Sequence, residues 1–181
     1  MTNFDGRKQE IETLSNWLRN QNIRLISVLG LSGIGKSSLV RRFIDVNQHL
    51  FDVIIWKSIK LSPSLDNIIT EILTATNPDS LLADNKLTQL FKLLREQRCL
   101  IIFDDVQELF TLGEFAGKYQ SKYQDYKDFF QKLVEIEHES SLILISQEQC
   151  QEMLCLDEDL YPVKCLELSG IENIDLKKYG L

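Results

Sequence analysis

The chain has 181 residues, of which 44% are hydrophobic and 26% are charged, and its formal net charge is −7. That length suffices for one domain with a substantial core, and the composition is typical of a globular protein. The negative charge argues against a general nucleic-acid binder, which usually carries a basic surface. The N-terminal residues lack the apolar stretch of a signal peptide, and no apolar run approaches the roughly 20 residues that cross a bilayer. We therefore expect no nucleic-acid partner and no membrane association.

The four cysteines are Cys99, Cys150, Cys155 and Cys165. None of them forms a CxxC pair, and no pair of histidines lies nearby, so a zinc site is not expected. Cys99 and Cys165 lie in apolar surroundings and are predicted to be core residues. Unpaired thiols suit a reducing compartment, and we therefore predict a cytoplasmic location.

Amphipathic segments and short apolar runs alternate along the chain. Helical spacing predicts helices over Arg7–Asn20, Lys36–Val46, Leu65–Thr76, Lys86–Gln97 and Tyr123–Glu139. Short β-rich runs predict strands over Ile23–Leu29, Phe51–Ile59, Cys99–Phe103, Leu142–Ile145 and Val163–Leu168. This alternation indicates an α/β fold with a parallel sheet and right-handed crossovers. The Tyr-rich stretch Lys118–Lys127 is interpreted as a solvated insertion whose tyrosines cover the edge of the sheet, and the alternative is a surface that contacts a partner.

The first predicted strand and the helix after it are joined by Gly30–Ser37 (GLSGIGKS), which matches the Walker A pattern G-x-x-x-x-G-K-[ST]. Glycines let such a loop curve so that backbone N–H groups point at phosphate, and the helix start adds its positive dipole end. Lys36 would reach the β- and γ-phosphates, and Ser37 would offer its hydroxyl to Mg²⁺. The alternative is a Gly-rich turn without a ligand, which the flanking strand and helix disfavour. The predicted nucleotide contacts in the loop are Gly30, Ser32, Gly33, Ile34, Gly35, Lys36, Ser37 and Ser38.

A second acidic feature supports this interpretation, because the strand Cys99–Phe103 ends in Asp104 and Asp105. Ligands of open α/β sheets lie at the carboxyl ends of the strands, so Asp104 should share one sheet edge with the loop. Asp104 is then the predicted Walker B ligand of Mg²⁺, mostly through water. Asp105 would orient or deprotonate the attacking water, or else act as a turn cap. The strand Phe51–Ile59 separates the two motifs in sequence but not in space, which indicates the additional-strand class of P-loop proteins.

The ordered set of motifs resembles the NB-ARC domain of the STAND class of P-loop ATPases, which occurs in apoptotic adaptors, plant resistance proteins and bacterial regulators, and cyanobacterial members in particular. The resemblance implies a three-layer P-loop NTPase sandwich with a five-stranded, mainly parallel sheet of the additional-strand type. It places the nucleotide-binding domain at residues 1–168 and the start of a truncated helical element at residues 169–181. The segments that carry it are Phe4–Arg7, Val28–Ser38, Phe51–Trp56, Leu100–Val106, Gly113–Tyr126, Ser141–Ser146 and Leu166–Gly170.

The resemblance implies a molecular switch that is closed with ADP and assembles with ATP, with Mg²⁺ as the companion ion. It implies that Phe4, Gly6 and Arg7 line the adenine side of the nucleotide, although Phe4 could instead pack against the first helix. Protein partners or self-association would then act through domains outside these 181 residues.

One residue departs from the family pattern: Gln147 follows the fourth strand where the family usually has an arginine that senses the γ-phosphate. Glutamine can donate a hydrogen bond but brings no positive charge, which favours slow turnover. Three hypotheses follow: a switch with weak ATPase activity, a nucleotide-dependent scaffold that does not hydrolyse, and a small P-loop kinase. The kinase is disfavoured because no Arg-rich lid is found between Val106 and Gln147.

Overall fold

The computed structural model describes residues 7–61, 63–82, 85–110, 119–147 and 158–169. Five strands form one sheet in the order β2-β3-β4-β1-β5, and every neighbouring pair is parallel. The strands are β1 (Leu25–Leu29), β2 (Val53–Ser58), β3 (Cys99–Asp104), β4 (Ser141–Ser146) and β5 (Val163–Glu167). The predicted parallel α/β fold is confirmed. β4 lies between β1 and β3, whereas β2 lies at the edge, which is the predicted additional-strand arrangement.

Helices cover both faces of this sheet. They are α1 (Lys8–Asn20), α2 (Lys36–Asn47), α3 (Leu65–Thr76), α4 (Lys86–Glu96) and α5 (Gln124–Glu135). Successive residues of a strand point to opposite faces. Accordingly, Leu100 and Ile102 pack in the core formed with α1 and α2, while Ile101 and Phe103 pack in the core formed with α3, α4 and α5. The molecule is therefore a three-layer sandwich, and its central strands are buried on both sides.

The last helix is shorter than predicted, because it ends at Glu135 rather than Glu139. The chain turns there around His138, whose Nε2 lies 2.8 Å from the Leu133 carbonyl and whose Nδ1 accepts from the Ser140 N–H over 3.1 Å. A side chain that bonds to the backbone on both sides of the turn competes with continued helix. The turn brings the chain directly into β4.

Between the tyrosines of the predicted insertion, Ser121, Lys122, Gln124 and Asp125 are exposed to solvent, as predicted. The tyrosines do not lie at the edge of the sheet, because they pack in the core over the inner strand β3. Tyr119, Tyr123 and Tyr126 are all buried. Tyr126 meets Phe103 of β3 edge to face, and its hydroxyl donates to the Pro63 carbonyl over 2.8 Å. Aromatic side chains supply much buried area, and a buried hydroxyl finds a partner, so these residues attach the first turn of α5 and the segment before it to the sheet.

Cys99 is fully buried and Cys165 is partly buried, and burial raises the pKa of both thiols to about 11. Both thiols are therefore protonated and behave as small apolar groups, as predicted for the core.

Cys150 and Cys155 lie outside the described residues, as do residues 170–181, where most of the predicted helical element falls. Within the described part of the chain, no helix has the length and apolar character to span a membrane.

Candidate functional site

The loop between β1 and α2 has the conformation that a phosphate loop requires. Gly33 and Gly35 have φ values of +79° and +103°, in a region that residues with a side chain rarely adopt. Gly35 precedes α2 and has no side chain to cap it, and the first turn of α2 contains no acidic residue. The first N–H groups of a helix have no partner within the helix. The positive end of the α2 dipole is therefore available to an anion held by the loop.

A third glycine is required by packing rather than by its dihedral angles. A Cβ atom on Gly30 would lie 2.8 Å from the Cγ2 of Ile34 and 3.4 Å from the carbonyl oxygen of Leu168. The Leu168 N–H in turn donates to the Leu29 carbonyl over 2.8 Å. The base of the loop is therefore packed tightly against the residues that follow β5.

Lys36 opens α2, and its side chain folds back over the loop. Its ammonium group donates to the carbonyl oxygens of Gly30 and Leu31 over 2.7 and 2.8 Å. Burial lowers the pKa of Lys36, and the nearby carboxylates of Asp104 and Asp105 oppose that effect. The lysine is thus a buried cation whose hydrogen bonds are to its own loop, where an anionic ligand can compete for it.

Ser37 and Asp104 meet at the mouth of the loop. The Ser37 hydroxyl donates to Asp104 Oδ2 over 3.0 Å, and the Asp105 N–H donates to Asp104 Oδ1 over 2.9 Å. A hydroxyl and a carboxylate are the oxygen ligands that Mg²⁺ takes when it also binds substrate phosphates. The donor set therefore fits that ion. The arrangement depends on β3, which ends at Asp104 on the same sheet edge as the loop.

Asp105 has a left-handed backbone with φ of 59°, and it is one of two non-glycine residues with positive φ in the described part of the chain. Such a conformation is uncommon for residues other than glycine, although aspartate and asparagine adopt it more often than most. It turns the chain sharply after β3. The following 3₁₀ turn spans Val106–Leu109. This turn places Asp105 beside the loop rather than in line with the strand.

These elements surround a cavity of about 280 Å³. Its lining includes six of the residues predicted from the loop and both aspartates, and it also includes Gln107, Ile145 and Gln147. The loop residues are Ser32, Gly33, Gly35, Lys36, Ser37 and Ser38. Gly30 and Ile34, which were also predicted, are absent from this lining and pack against each other at the base of the loop. Phe4 and Gly6 lie outside the described residues.

The NB-ARC domain model matches residues 7–130, which is more than half of the chain. The chain belongs to the NB-ARC family. Over 184 aligned residues it is 32% identical to an uncharacterized WD repeat-containing protein of Nostoc sp. (strain PCC 7120), a match that covers 94% of this chain and 14% of that protein. It is 27% identical over 186 residues to the disease resistance protein RPS4B of Arabidopsis thaliana, covering 96% and 15%. The chain therefore spans about one-seventh of each of these relatives.

Solved structures with low sequence identity share the fold. A chain of the E. coli MS115-1 HORMA:CdnC:Trip13 complex gives a TM-score of 0.56 at 10% identity, covering 91% of this chain and 62% of that one. AMPPCP-bound DnaA from Aquifex aeolicus gives 0.50 at 17% identity, covering 97% and 53%. The predicted membership of the NB-ARC family and the P-loop NTPase fold are both confirmed, and membership implies nucleotide binding.

Arg7 takes a place in this NB-ARC domain that the sequence does not indicate. Its buried guanidinium donates from Nη2 to the carbonyl oxygens of Ile34 and Ser169 over 3.1 and 3.2 Å, and from Nη1 to Glu10 over 3.2 Å. It is absent from the lining of the cavity. In this structure Arg7 therefore links the phosphate loop to the residues after β5.

Gln107 and Ile145 line the cavity but were not predicted from the sequence as site residues. Gln107 is the polar one of the two. It lies two positions after Asp105, and its neighbours Val106 and Leu109 are fully buried. The signal in the sequence was a polar pair, Gln107 and Glu108, between two apolar residues directly after the acidic strand end. Gln147, which stands where the family usually has an arginine, lies across the cavity and donates its N–H to Gln107 Oε1 over 3.4 Å.

Proposed function

We propose that this chain is the nucleotide-binding switch module of a STAND-type ATPase, and that it binds ATP and ADP with Mg²⁺ and hydrolyses ATP slowly. The observation that carries the proposal is the pairing of Ser37 with Asp104 at the mouth of a glycine-dependent loop, within one cavity. A Gly-rich turn without a ligand would not require a carboxylate opposite it, and Asp104 ends β3, which does not pair with the strand that leads into the loop. We assign the nucleotide-binding domain to residues 1–168 and the start of a helical element to residues 169–181.

A bound phosphate would replace hydrogen bonds that the loop now makes within itself. Lys36 donates to two loop carbonyls, and an ATP or ADP phosphate would replace them as the acceptor of its ammonium group. Hydrogen bonds between charged groups are stronger than those to neutral carbonyls, so the exchange is favourable. The first N–H groups of α2 would then bind the phosphate oxygens that the lysine does not reach.

Ser37 and Asp104 would hold Mg²⁺, Ser37 through its hydroxyl and Asp104 through its carboxylate. When bound, this ion neutralises charge on the phosphate oxygens. The hydrogen bond between Ser37 and Asp104 keeps the two groups in place before the ion arrives. The Asp105 N–H adds to this by holding the second oxygen of Asp104.

Hydrolysis would depend on Asp105, which lines the cavity next to Asp104 and would orient or deprotonate the attacking water. We expect this step to be slow because Gln147 brings no charge to the end of β4. Arginines that neutralise transition-state charge in P-loop enzymes accelerate hydrolysis by roughly 10³- to 10⁵-fold. A site without one should hold ATP long enough to act as a signal.

A switch needs partners, and two observations support their presence outside this chain. The chain spans about one-seventh of the Nostoc protein, which carries WD repeats, and of RPS4B. We infer that protein partners or self-association act through further domains of that kind, and that the protein works in the cytoplasm.

Gln147 also favours a second candidate function, a scaffold that binds nucleotide without hydrolysing it. The two candidates differ in one measurement, the release of phosphate from bound ATP. Steady release that is abolished by Asp105→Ala supports the switch with ATPase activity. Tight binding with no release supports the scaffold, and transfer of phosphate to an added small-molecule acceptor would contradict both.

The binding site itself is tested with fluorescent ATP and ADP analogues and purified protein. We expect micromolar affinity or better for the wild type in Mg²⁺, and a loss of at least about 100-fold for Lys36→Ala, since a buried cation is removed. Asp104→Asn should weaken the dependence of ATP affinity on Mg²⁺. Lys60→Ala, at an exposed lysine outside the cavity, is the matched control and should leave both unchanged. Retained micromolar affinity in Lys36→Ala would show that the loop is not the site.

A further inference from the structure

Gln107 connects two sides of the phosphate cavity. It lies in the 3₁₀ turn after β3, and its partly buried side chain lines the cavity. Its Nε2 donates to Asp105 Oδ1 over 3.4 Å, and its Oε1 accepts from the Gln147 N–H over 3.4 Å. The carboxylate can only accept and the backbone N–H can only donate, so the orientation of the carboxamide is defined by its partners. One side chain thus bridges the ends of β3 and β4.

The backbone that carries this side chain is held on both sides. Val106 and Leu109 are fully buried in the core, and the Glu108 N–H donates to the Asp105 carbonyl over 3.1 Å. The turn is also held from the other direction by Gln120, whose Nε2 donates to the carbonyls of Glu108 and Phe110 over 3.0 and 3.2 Å. The position of the Gln107 backbone is therefore set by packing, while its carboxamide is free to change partners.

The two hydrogen bonds of the bridge, at 3.4 Å each, are longer than the roughly 2.7–3.2 Å usual for N–H···O bonds, so they are weak and can be exchanged. A phosphate oxygen carries negative charge and is a better acceptor for the Gln147 N–H than a neutral amide is. Once that N–H binds phosphate, the oxygen of Gln107 has no partner in the bridge, while its nitrogen still donates to Asp105. A carboxamide with one free acceptor beside a carboxylate has the chemistry that orients water, a role that glutamine fills in other P-loop NTPases.

We propose that Gln107 orients the attacking water for hydrolysis, together with Asp105, and that it does so only when a terminal phosphate has taken the Gln147 N–H. The inference rests on the proposed function of the site. In the step itself, the water oxygen bonds to the γ-phosphorus, and the bond from that phosphorus to the β,γ-bridging oxygen breaks. The electron pair of the broken bond stays on ADP, and the proton of the water goes to Asp105 or to the departing phosphate. With ADP bound, Gln107 returns to its bridge, so the same residue distinguishes the two nucleotide states.

The test compares the rate of a single turnover with the affinity for nucleotide. Gln107→Met has nearly the same length and volume but can neither donate to Asp105 nor accept from water. We expect its single-turnover rate constant with MgATP, measured with protein in excess, to fall at least about tenfold. Its dissociation constant for MgADP should stay within about threefold of wild type, because the phosphate loop is untouched. Gln107→Glu, which keeps an acceptor but sets a second carboxylate beside Asp105, should behave in the same way and serves if the methionine variant folds poorly.

The matched control is Gln120→Met, because Gln120 holds the same turn without lining the cavity. It should leave the single-turnover rate within about threefold of wild type. An unchanged rate in both Gln107 variants, or an equal loss in Gln120→Met, would overturn the inference and assign Gln107 a purely structural role. Wild-type protein that binds MgATP without hydrolysing it would overturn the inference and leave nucleotide binding intact. Wild-type protein that binds no nucleotide would overturn the proposed function, and the inference with it.

Discussion

Replacing Arg7 by methionine should destabilise the domain and loosen the phosphate loop. The guanidinium joins three places: the loop at Ile34, the residue Ser169 after β5, and Glu10 in the first turn of α1. Ile34 packs at the base of the loop, close enough to Gly30 that no Cβ fits between them. Removing the guanidinium leaves two backbone carbonyls without this donor and removes one of the links between the loop and the residues after β5.

The magnitude follows from the partners. A hydrogen bond from a charged donor contributes about 1.5–3 kcal/mol, and the two bonds to carbonyls share one nitrogen, so we assign them about 2–4 kcal/mol together. The ion pair to Glu10 is partly exposed and spaced i, i+3, and adds only about 0.5 kcal/mol. Arg7→Met removes both contributions and should therefore lower the free energy of unfolding by about 2.5–4.5 kcal/mol. Arg7→Lys keeps the charge but not the planar fork, and should recover only part of that loss.

Urea unfolding without nucleotide measures this loss, and Glu10→Gln is the control that removes only the ion pair. A loss below about 1 kcal/mol in Arg7→Met would refute the reasoning. A second assay separates this link from the adenine contact that the family resemblance implies. If Arg7 acts through the loop, the variant should lose affinity for inorganic tripolyphosphate and for ATP by similar factors. A loss confined to ATP would assign Arg7 to the base.

Two further predictions concern charge. Gln147→Arg should raise the rate of ATP hydrolysis by at least about tenfold if the end of β4 faces the γ-phosphate, since it restores a cation where charge develops; an unchanged rate in a phosphate-release assay would count against that placement. Burial lowers the pKa of His138 below its usual 6.5, so between the two values the unfolded chain binds more protons than the folded one. The free energy of unfolding should therefore fall as pH drops below about 6.5, and urea titrations across pH should show this slope flattened in His138→Gln but kept in His49→Gln, at the exposed histidine.

The sequence predicted the bounds of a helix well where a capping residue precedes the helix and a proline follows it. The helix predicted over Leu65–Thr76 has those bounds, because Ser64 caps it by accepting from the Asn67 N–H over 3.2 Å and Pro78 follows its end. The strand predicted from Ile23 begins two residues later. Asn22 has a φ of 50°, and the Ile23 N–H turns back to the Trp17 carbonyl. Periodicity cannot show such a turn, because it depends on one backbone bond.

The residues of the candidate site also fall into two groups, those that local sequence predicts and those that depend on distant contacts. The glycines, Lys36, Ser37 and the aspartates could be predicted because their chemistry is encoded in spacing and in the end of a strand. The bridge of Gln107 to Gln147 and the link of Arg7 to Ser169 join residues 40 and 162 positions apart. Which residue a long side chain meets across such a separation in sequence depends on the order of the strands in the sheet. The sequence pattern predicts the fold class but not these individual contacts.

The strand order also places the end of β4 where it would control hydrolysis in the proposed site. β4 lies between β1, which feeds the phosphate loop, and β3, which supplies Asp104. Ile145 and Gln147 consequently line the same cavity as the loop and the aspartates. An arginine there would bind the terminal phosphate by charge, and its contribution of several kcal/mol would favour rapid turnover. Without that charge, the Gln147 backbone N–H only exchanges its weak hydrogen bond to Gln107 for one to phosphate. Such an exchange changes the free energy of nucleotide binding by only about 1 kcal/mol. That is comparable to the 1–3 kcal/mol of typical coupling between sites. If the chain works as the proposed switch, contacts from further domains would be strong enough to set which nucleotide state prevails.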